Sequence, residues 1–176
     1  TRINKLGGKA VGVSGTDSNM ILAEKKYLEK DGQKIDIGFV GQVKKINPKM
    51  ITILENEGFI PVISPIGVDE QGNSYNINAD YVAGEIAGAL GAHKFLLMTD
   101  VAGILKDVKD ATSLITEISY DEVQGLIDDG TVSGGMLPKV DACMTAIRAG
   151  ADRVHIIDGR VKHAILLELF TDSGIG

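Results

Sequence analysis

Between residues 79 and 99 an amphipathic helix runs into a fully apolar strand, and this pairing restricts the fold more than any other feature. Ala79, Val82, Ala83, Ile86, Ala87 and Leu90 recur at i, i+3, i+4 and i+7, so one helix face is apolar, and Gly91 closes it. Residues 95–98, Phe-Leu-Leu-Met, follow without a polar break and end at Thr99-Asp100. Such a run reads as a strand buried on both faces, which needs helices above and below it.

The rest of the chain repeats the alternation. Residues 10–13 form a short apolar run ending in Ser14-Gly15, a strand and a turn. Residues 20–28 and 35–46 read as extended segments flanking Asp31-Gly32, a strong hairpin dipeptide. Asn47 and Pro48 suit the N-cap and first position of a helix running to about Glu57, with Gly58 as its stop. Residues 60–64, Ile-Pro-Val-Ile-Ser, form a buried strand, and Gln71-Gly72-Asn73 a turn. Ser119 and Glu122 make a capping box for a helix that stops at Gly130. A further helix starts near Pro138 and ends at Gly150; a strand over 153–157 and a helix over 163–170 follow. The predicted fold class is α/β: an open, mainly parallel sheet covered by helices on both faces, a three-layer αβα sandwich. Ligands of such sheets bind beyond the carboxyl ends of strands, where Thr99-Asp100 and Asp158-Gly159 lie.

Charge and composition narrow the partners. With a net charge of −6 and no basic run, a nucleic-acid partner is disfavoured. Hydrophobic content of 44% with 24% charged residues reads as a soluble globular chain, and no apolar run reaches membrane length. The single Cys143 excludes an internal disulfide and reads as a buried structural thiol in a helix. His93, His155 and His163 lack metal-ligand spacing. Gly8-Lys9 is followed by Ala10, so there is no Walker A, and residues 12–16, Gly-Val-Ser-Gly-Thr, miss the G-x-S-x-G elbow by the last glycine.

Two segments carry chemistry. Ser133-Gly134-Gly135 precedes a helix, so the backbone can approach an anion where the helix terminus adds partial positive charge. Lys139, in the first turn, opposes the helix dipole at a cost of a few tenths of a kcal/mol, roughly, and an anionic ligand would remove that conflict. The alternative is a flexible loop and a solvated lysine. Asn76 and Asp80 stand four apart at the start of the amphipathic helix, where capping by Asn76 or Asn78 is the alternative to substrate chemistry. Asp100 could bind ribose hydroxyls or only make a turn. A carboxylate, an amide, a glycine-rich backbone and a lysine together suit phosphoryl transfer.

These segments, in this order, with residues 96–104 (Leu-Leu-Met-Thr-Asp-Val-Ala-Gly-Ile), 155–163 (His-Ile-Ile-Asp-Gly-Arg-Val-Lys-His) and 168–172 (Glu-Leu-Phe-Thr-Asp), resemble the amino-acid kinase family in its N-acetylglutamate kinase branch. The resemblance implies transfer of the ATP γ-phosphoryl group to the side-chain carboxylate of N-acetyl-L-glutamate, in arginine biosynthesis and in the cytoplasm, with Mg²⁺ carried by the nucleotide. By position, Lys139 is similar to the lysine that stabilises the transferring phosphoryl group, Asp80 to the aspartate that orients catalytic lysines, and Asn76 to the asparagine that holds the acceptor. Thr99, Asp100, Val101, Gly103 and Ile104 form one implied nucleotide-binding loop; Thr131, Val132, Ser133, Gly134, Gly135 and Met136 form the other. Residues 1–91 correspond to the remainder of an acceptor lobe and 92–176 to a nucleotide-binding lobe. The branch also implies a homo-oligomer, with arginine as an inhibitor or a PII-type nitrogen regulator as partner.

Two departures accompany the match. Where the family often has Ser-Gly-Lys-Asp-Gly, this chain has Ser14-Gly15-Thr16-Asp17-Ser18, losing a basic residue. The chain also starts in mid-pattern without Met, which reads as a fragment or a processed chain. It lacks the family's first segment, with its first catalytic lysine, phosphate loop, main dimer helix and the Gly-Gly and Arg that grip the acceptor. That predicts an inactive fragment of an active parent. The alternatives are another amino-acid kinase, acting on aspartate, glutamate, carbamate or a nucleoside monophosphate, and a non-catalytic nucleotide- or arginine-binding module.

Overall fold

The computed structural model describes residues 2–110, 112–171 and 174–175. In chain order the elements are α1 (Arg2–Lys5), β1 (Ala10–Ser14), β2 (Ile21–Lys30), β3 (Gln33–Ile46), α2 (Lys49–Asn56), β4 (Ile60–Ser64), β5 (Ile66–Val68) and β6 (Ser74–Asn76). Then come α3 (Ala79–Ala89), β7 (Lys94–Thr99), α4 (Tyr120–Asp128), α5 (Met136–Ala149), β8 (Arg153–Asp158) and α6 (Ala164–Phe170).

Local chemistry accounts for the boundaries. Asp31 and Gly32 both take positive φ, 53° and 73°, the geometry of the tight turn joining β2 to β3. Helix α2 starts one residue later than expected, with Pro48 at the N-cap; the Lys49 N–H donates to Asn47 Oδ1 at 3.3 Å. Ser119 and Glu122 form the reciprocal capping box of α4. Helix α5 begins at Met136, two residues before the expected start, and ends at left-handed Gly150.

The α/β class stands, and the sheet is divided. The parallel strands lie in two separate pairs, β1 with β4 and β7 with β8. Strands β2, β3, β6 and β5 close into a small mixed barrel, dominated by the antiparallel β2–β3 ribbon. The barrel was not legible in the sequence, because β5 and β6 have three residues each, too few to show a period. Its closure needs Gly67, where a Cβ would stand 2.7 Å from that of Ala23.

The layers follow from the pleat. Phe95 and Leu97 of β7 turn to the same side as Val154 and Ile156 of β8 and pack with Ala87 of α3 and Ala146 of α5. On the opposite face His155 meets Glu168 of α6. Helices therefore cover both faces of the β7–β8 pair. A second core under the barrel joins Met20, Ile21, Ile51, Tyr75, Ile77 and Val82. Burying each of these large apolar side chains contributes about 1.5–3 kcal/mol.

Candidate functional site

Strand β6 leads directly into α3, and the pleat sorts the side chains between them. Ile77 is buried in the barrel core, while Asn76 and Asn78 on either side of it are exposed. Asn78, not Asn76, caps α3: its Oδ1 accepts from the Asp80 N–H at 2.9 Å and from that of Tyr81 at 3.4 Å. Capping therefore accounts for Asn78 and leaves the Asn76 and Asp80 side chains for other work.

Helix α5 presents the second half. Val132 is buried, and its N–H donates to Leu126 at 2.7 Å, anchoring the loop after α4. Ser133, Gly134 and Gly135 are exposed beyond it, and Gly134 takes a φ of 54°. Gly135 occupies the N-cap position, so no side chain caps the first turn. The Met136 and Leu137 N–H groups donate to the Ser133 and Gly134 carbonyls, at 3.1 and 3.3 Å, and Pro138 has none, so it is the exposed backbone of residues 133–135, with the helix dipole behind it, that can face an anion.

Close packing brings the two helix starts together. A Cβ on Gly84 would stand 2.5 Å from the Ala142 carbonyl oxygen, and one on Gly88 would stand 2.1 Å from the Ala149 Cβ. With Asp80 against Lys139 these contacts advance in the same direction along both helices, so α3 and α5 run parallel with their N-termini side by side. There Lys139 Nζ donates to Asp80 Oδ2 at 3.2 Å, and the side chains are only 23% and 27% exposed. Residues 59 positions apart thus form one half-buried ion pair between two positive helix ends. One turn further along α5, burial pushes the Cys143 thiol up to about 12; Asp80 adds to the shift and Lys139 opposes it. The thiol, expected to be buried, is only partly so, stays protonated and sits in the field of the pair.

The other implied loop follows β7. Thr99 is buried, its Oγ1 donating to the Val101 carbonyl at 2.9 Å and accepting from the Val101 N–H at 3.0 Å, so its hydroxyl shapes the turn. Asp100 and Val101 are exposed at the strand end. Beside them Arg160 donates to both carboxylate oxygens of Asp158, at 2.9 and 2.8 Å, which holds the Asp158 carboxyl below the usual carboxylate range. Asp100 lies close enough to Arg160 to help raise its pKa. The sequence reading missed Arg160; its position directly after a strand end was the available signal. Gly103 and Ile104 line a cavity of 730 Å³ between α4, α5 and β8, which the remaining candidate residues of the two loops do not line. Asp172, the end of one family segment, lies outside the described residues.

Tyr81, next to Asp80 on α3 and in its field, also lies by the pair and was not singled out in the sequence. Among the described residues no three His, Cys, Asp or Glu side chains cluster as a metal cage.

Nearly the whole chain is similar to known proteins. An acetylglutamate kinase of Desulfitobacterium hafniense is 53% identical over 179 residues, covering 99% of this chain and 60% of the relative. The structure of smu.665 from Streptococcus mutans matches with a TM-score of 0.75 and 31% identity, over 92% of this chain and 62% of that one. N-acetylglutamate synthase from Neisseria gonorrhoeae, complexed with coenzyme A and N-acetyl-glutamate, matches with a TM-score of 0.77 and 26% identity, over 93% of this chain and 36% of that one. The chain spans about 60% of the length of the curated relatives it matches. The sequence pattern of the amino acid kinase family matches residues 1–158, and the chain belongs to that family.

Proposed function

We propose that this chain is part of an acetylglutamate kinase, which transfers the γ-phosphoryl group of ATP to the side-chain carboxylate of N-acetyl-L-glutamate. A carboxylate oxygen attacks the γ-phosphorus, the bond to the bridging β,γ-oxygen breaks, and an acyl phosphate and ADP result. The observation that carries this reading is the Asp80–Lys139 pair at 3.2 Å between two helix N-termini. Lys139 neutralises charge growing on the transferring group, and Asp80 keeps its ammonium aimed. Both act by positioning and electrostatics, the means by which phosphoryl transfer is mostly catalysed. Asn76, exposed four residues before Asp80, holds the acceptor. The exposed backbone of residues 133–135 takes phosphate oxygens, and residues 99–104 take the nucleoside end. Mg²⁺ would ride on the phosphates of ATP, which needs no dedicated protein cage.

In this reading residues 1–91 serve the acceptor and 92–176 the nucleotide. A homo-oligomer, arginine inhibition or a PII-type regulator, and a cytoplasmic site of action belong to the same proposal. No helix among the described residues is long and apolar enough to cross a membrane. The relative's name, at 53% identity, supports the acetylglutamate branch.

A coupled ADP-release assay on a full-length protein containing this chain tests the proposal. Release should depend on N-acetyl-L-glutamate and be weak with glutamate or aspartate. Equal release with aspartate or carbamate would move the protein to another branch of the family. Tight nucleotide binding without release would make it a binding module.

A further inference from the structure

We propose that Arg160 opens the carboxyl end of the β7–β8 pair to a nucleotide polyphosphate, by cancelling the Asp158 charge beside the loop of residues 99–104. The inference deepens the reading of that loop as the one that takes the nucleotide, and rests on it.

Strand register places the groups. Thr99 and Asp158 stand opposite each other as the last residues of neighbouring parallel strands, and the Gly159 N–H donates to the Thr99 carbonyl at 2.8 Å. The turn after β8 lies tight against the loop, since a Cβ on Gly159 would stand 3.3 Å from the Thr99 oxygen. Asp100 is the next residue of that loop, so two carboxylates, Asp100 and Asp158, end adjacent strands. Arg160 answers one of them. Its Nε and its own backbone N–H both donate to Asp158 Oδ1 at 2.9 Å, and its Nη2 donates to Oδ2 at 2.8 Å. This planar fork is the geometry in which a guanidinium holds a carboxylate best.

The turn itself does not need that guanidinium. Asp107, Asp110 and Asp129 close the same kind of turn, each accepting at 2.9 Å from the N–H two residues on, and none of them has an ion pair among the described residues. Stability does not call for it either: the Arg160 side chain is 67% exposed, and surface pairs of this kind contribute little. Charge is what the arginine changes. Helices α3 and α5 lead through short turns into β7 and β8, and the Asp152 N–H ties those two turns together by donating to the Ala92 carbonyl at 3.0 Å. The helix starts, with Lys139 and the exposed backbone of residues 133–135, therefore face the other way, toward the strand ends where Arg160 stands. Lys139 is already matched by Asp80. Without Arg160, a polyphosphate would meet Asp100 and Asp158 together, on a chain whose net charge is −6. With it, Asp158 presents a neutral fork. Arg160 is not a catalytic residue; it sets which ligands this end of the sheet admits.

Titration calorimetry on a full-length protein containing this chain tests the proposal with two probes: ADP, which is anionic, and adenosine, which is not. Arg160→Gln should weaken ADP binding about tenfold, the effect of one bared charge on a polyanion, and leave adenosine within about twofold. The ADP deficit should shrink as salt rises from about 20 to about 300 mM. Asp158→Asn can still close the turn and leaves the guanidinium unmatched, so it should tighten ADP binding. Combined with Arg160→Gln it removes both charges, and ADP affinity should return to within about twofold of the wild type. An arginine that only holds the fold gives other results: adenosine weakens along with ADP, salt changes nothing, and the double variant is no better than Arg160→Gln. Any one of these overturns the proposal. If Arg160→Gln fails to fold, Asp158→Asn decides, and ADP binding no tighter than in the wild type overturns the proposal. A wild-type protein that binds neither probe defeats the nucleotide reading and this inference with it. One that binds both, with Arg160→Gln unchanged toward ADP, defeats this inference and leaves the nucleotide reading standing.

Discussion

At the scale of single residues, the site reduces to Lys139, Asp80 and Asn76, and each should fail differently when replaced. Lys139→Ala in a full-length enzyme should lower kcat roughly 10²–10³-fold, as expected for loss of a charge-stabilising donor. The KM for ATP should move much less, because the interaction belongs to the transition state. Steady-state kinetics decide it: a variant keeping more than about half its kcat removes Lys139 from the mechanism. Asn76 caps nothing, since Asn78 caps α3. Asn76→Ala should therefore raise the KM for acetylglutamate more than that for ATP. Asp80→Asn keeps the shape but loses the charge facing Lys139, so kcat should fall. Small, equal effects on activity with lowered thermal stability would return both residues to a structural role.

At the scale of elements, two couplings matter. Gly88 lets α3 lie against Ala149, and Gly88→Val would force the helices apart. The expected cost is about 1–3 kcal/mol for overpacking, read as a lower urea midpoint at constant slope. The Lys139–Asp80 contact should loosen with it, although both residues are distant in sequence. The second coupling is the tie of α6 to β8. His155 Nδ1 and Glu168 Oε1 lie 2.7 Å apart, with Glu168 almost wholly buried. Burial lowers the His155 pKa below 6.5; Glu168 acts the other way, and Lys94 and Arg153 add to the lowering. A histidine with a lowered folded-state pKa binds more protons when unfolded, so it stabilises the fold above the ordinary histidine range. That contribution is lost as pH falls through 6.5 toward the folded-state value. Thermal melts from pH 7.5 to pH 5 should show a decline that His155→Gln flattens; parallel curves for the two proteins would exclude His155 as the cause.

At the scale of the whole molecule, the parallel strands stand in two-stranded pairs with open edges, and large apolar side chains remain on the surface. Phe39 is 76% exposed and Phe170 78%. Unpaired edges and apolar patches promote association. The 176-residue chain alone should therefore show concentration-dependent self-association by light scattering. It should also show no acetylglutamate-dependent ADP release, since groups that act as a unit in catalysis fail together. Weak ADP binding should survive, because the loops implied for the nucleotide lie on the α5 and β7–β8 half. Measurable release by a sample of 18.6 kDa confirmed mass would overturn this and make the chain sufficient for the chemistry.

The sequence by itself determined the parts whose causes are local. The period of residues 79–90, the Asp31-Gly32 turn, the Ser119–Glu122 box and the glycine stops after α3 and α5 all act within a few residues, and each element formed where its signal lay. The order of the motif segments likewise carried the family. Other features depended on residues far apart in the chain. Whether Asp80 meets Lys139, 59 positions away, depends on how closely α3 and α5 pack, and that is set by Gly84 and Gly88, which read in sequence only as weak helix formers. The choice of Asn78 over Asn76 as cap depends on Ile77 turning into the barrel core. The barrel itself closes through β5 and β6, strands held by pairing with distant partners and too short to announce themselves. Local propensity is a short-range energy and can be read along the chain; the meeting of side chains from separate elements is a property of packing, and only the tertiary structure decides it.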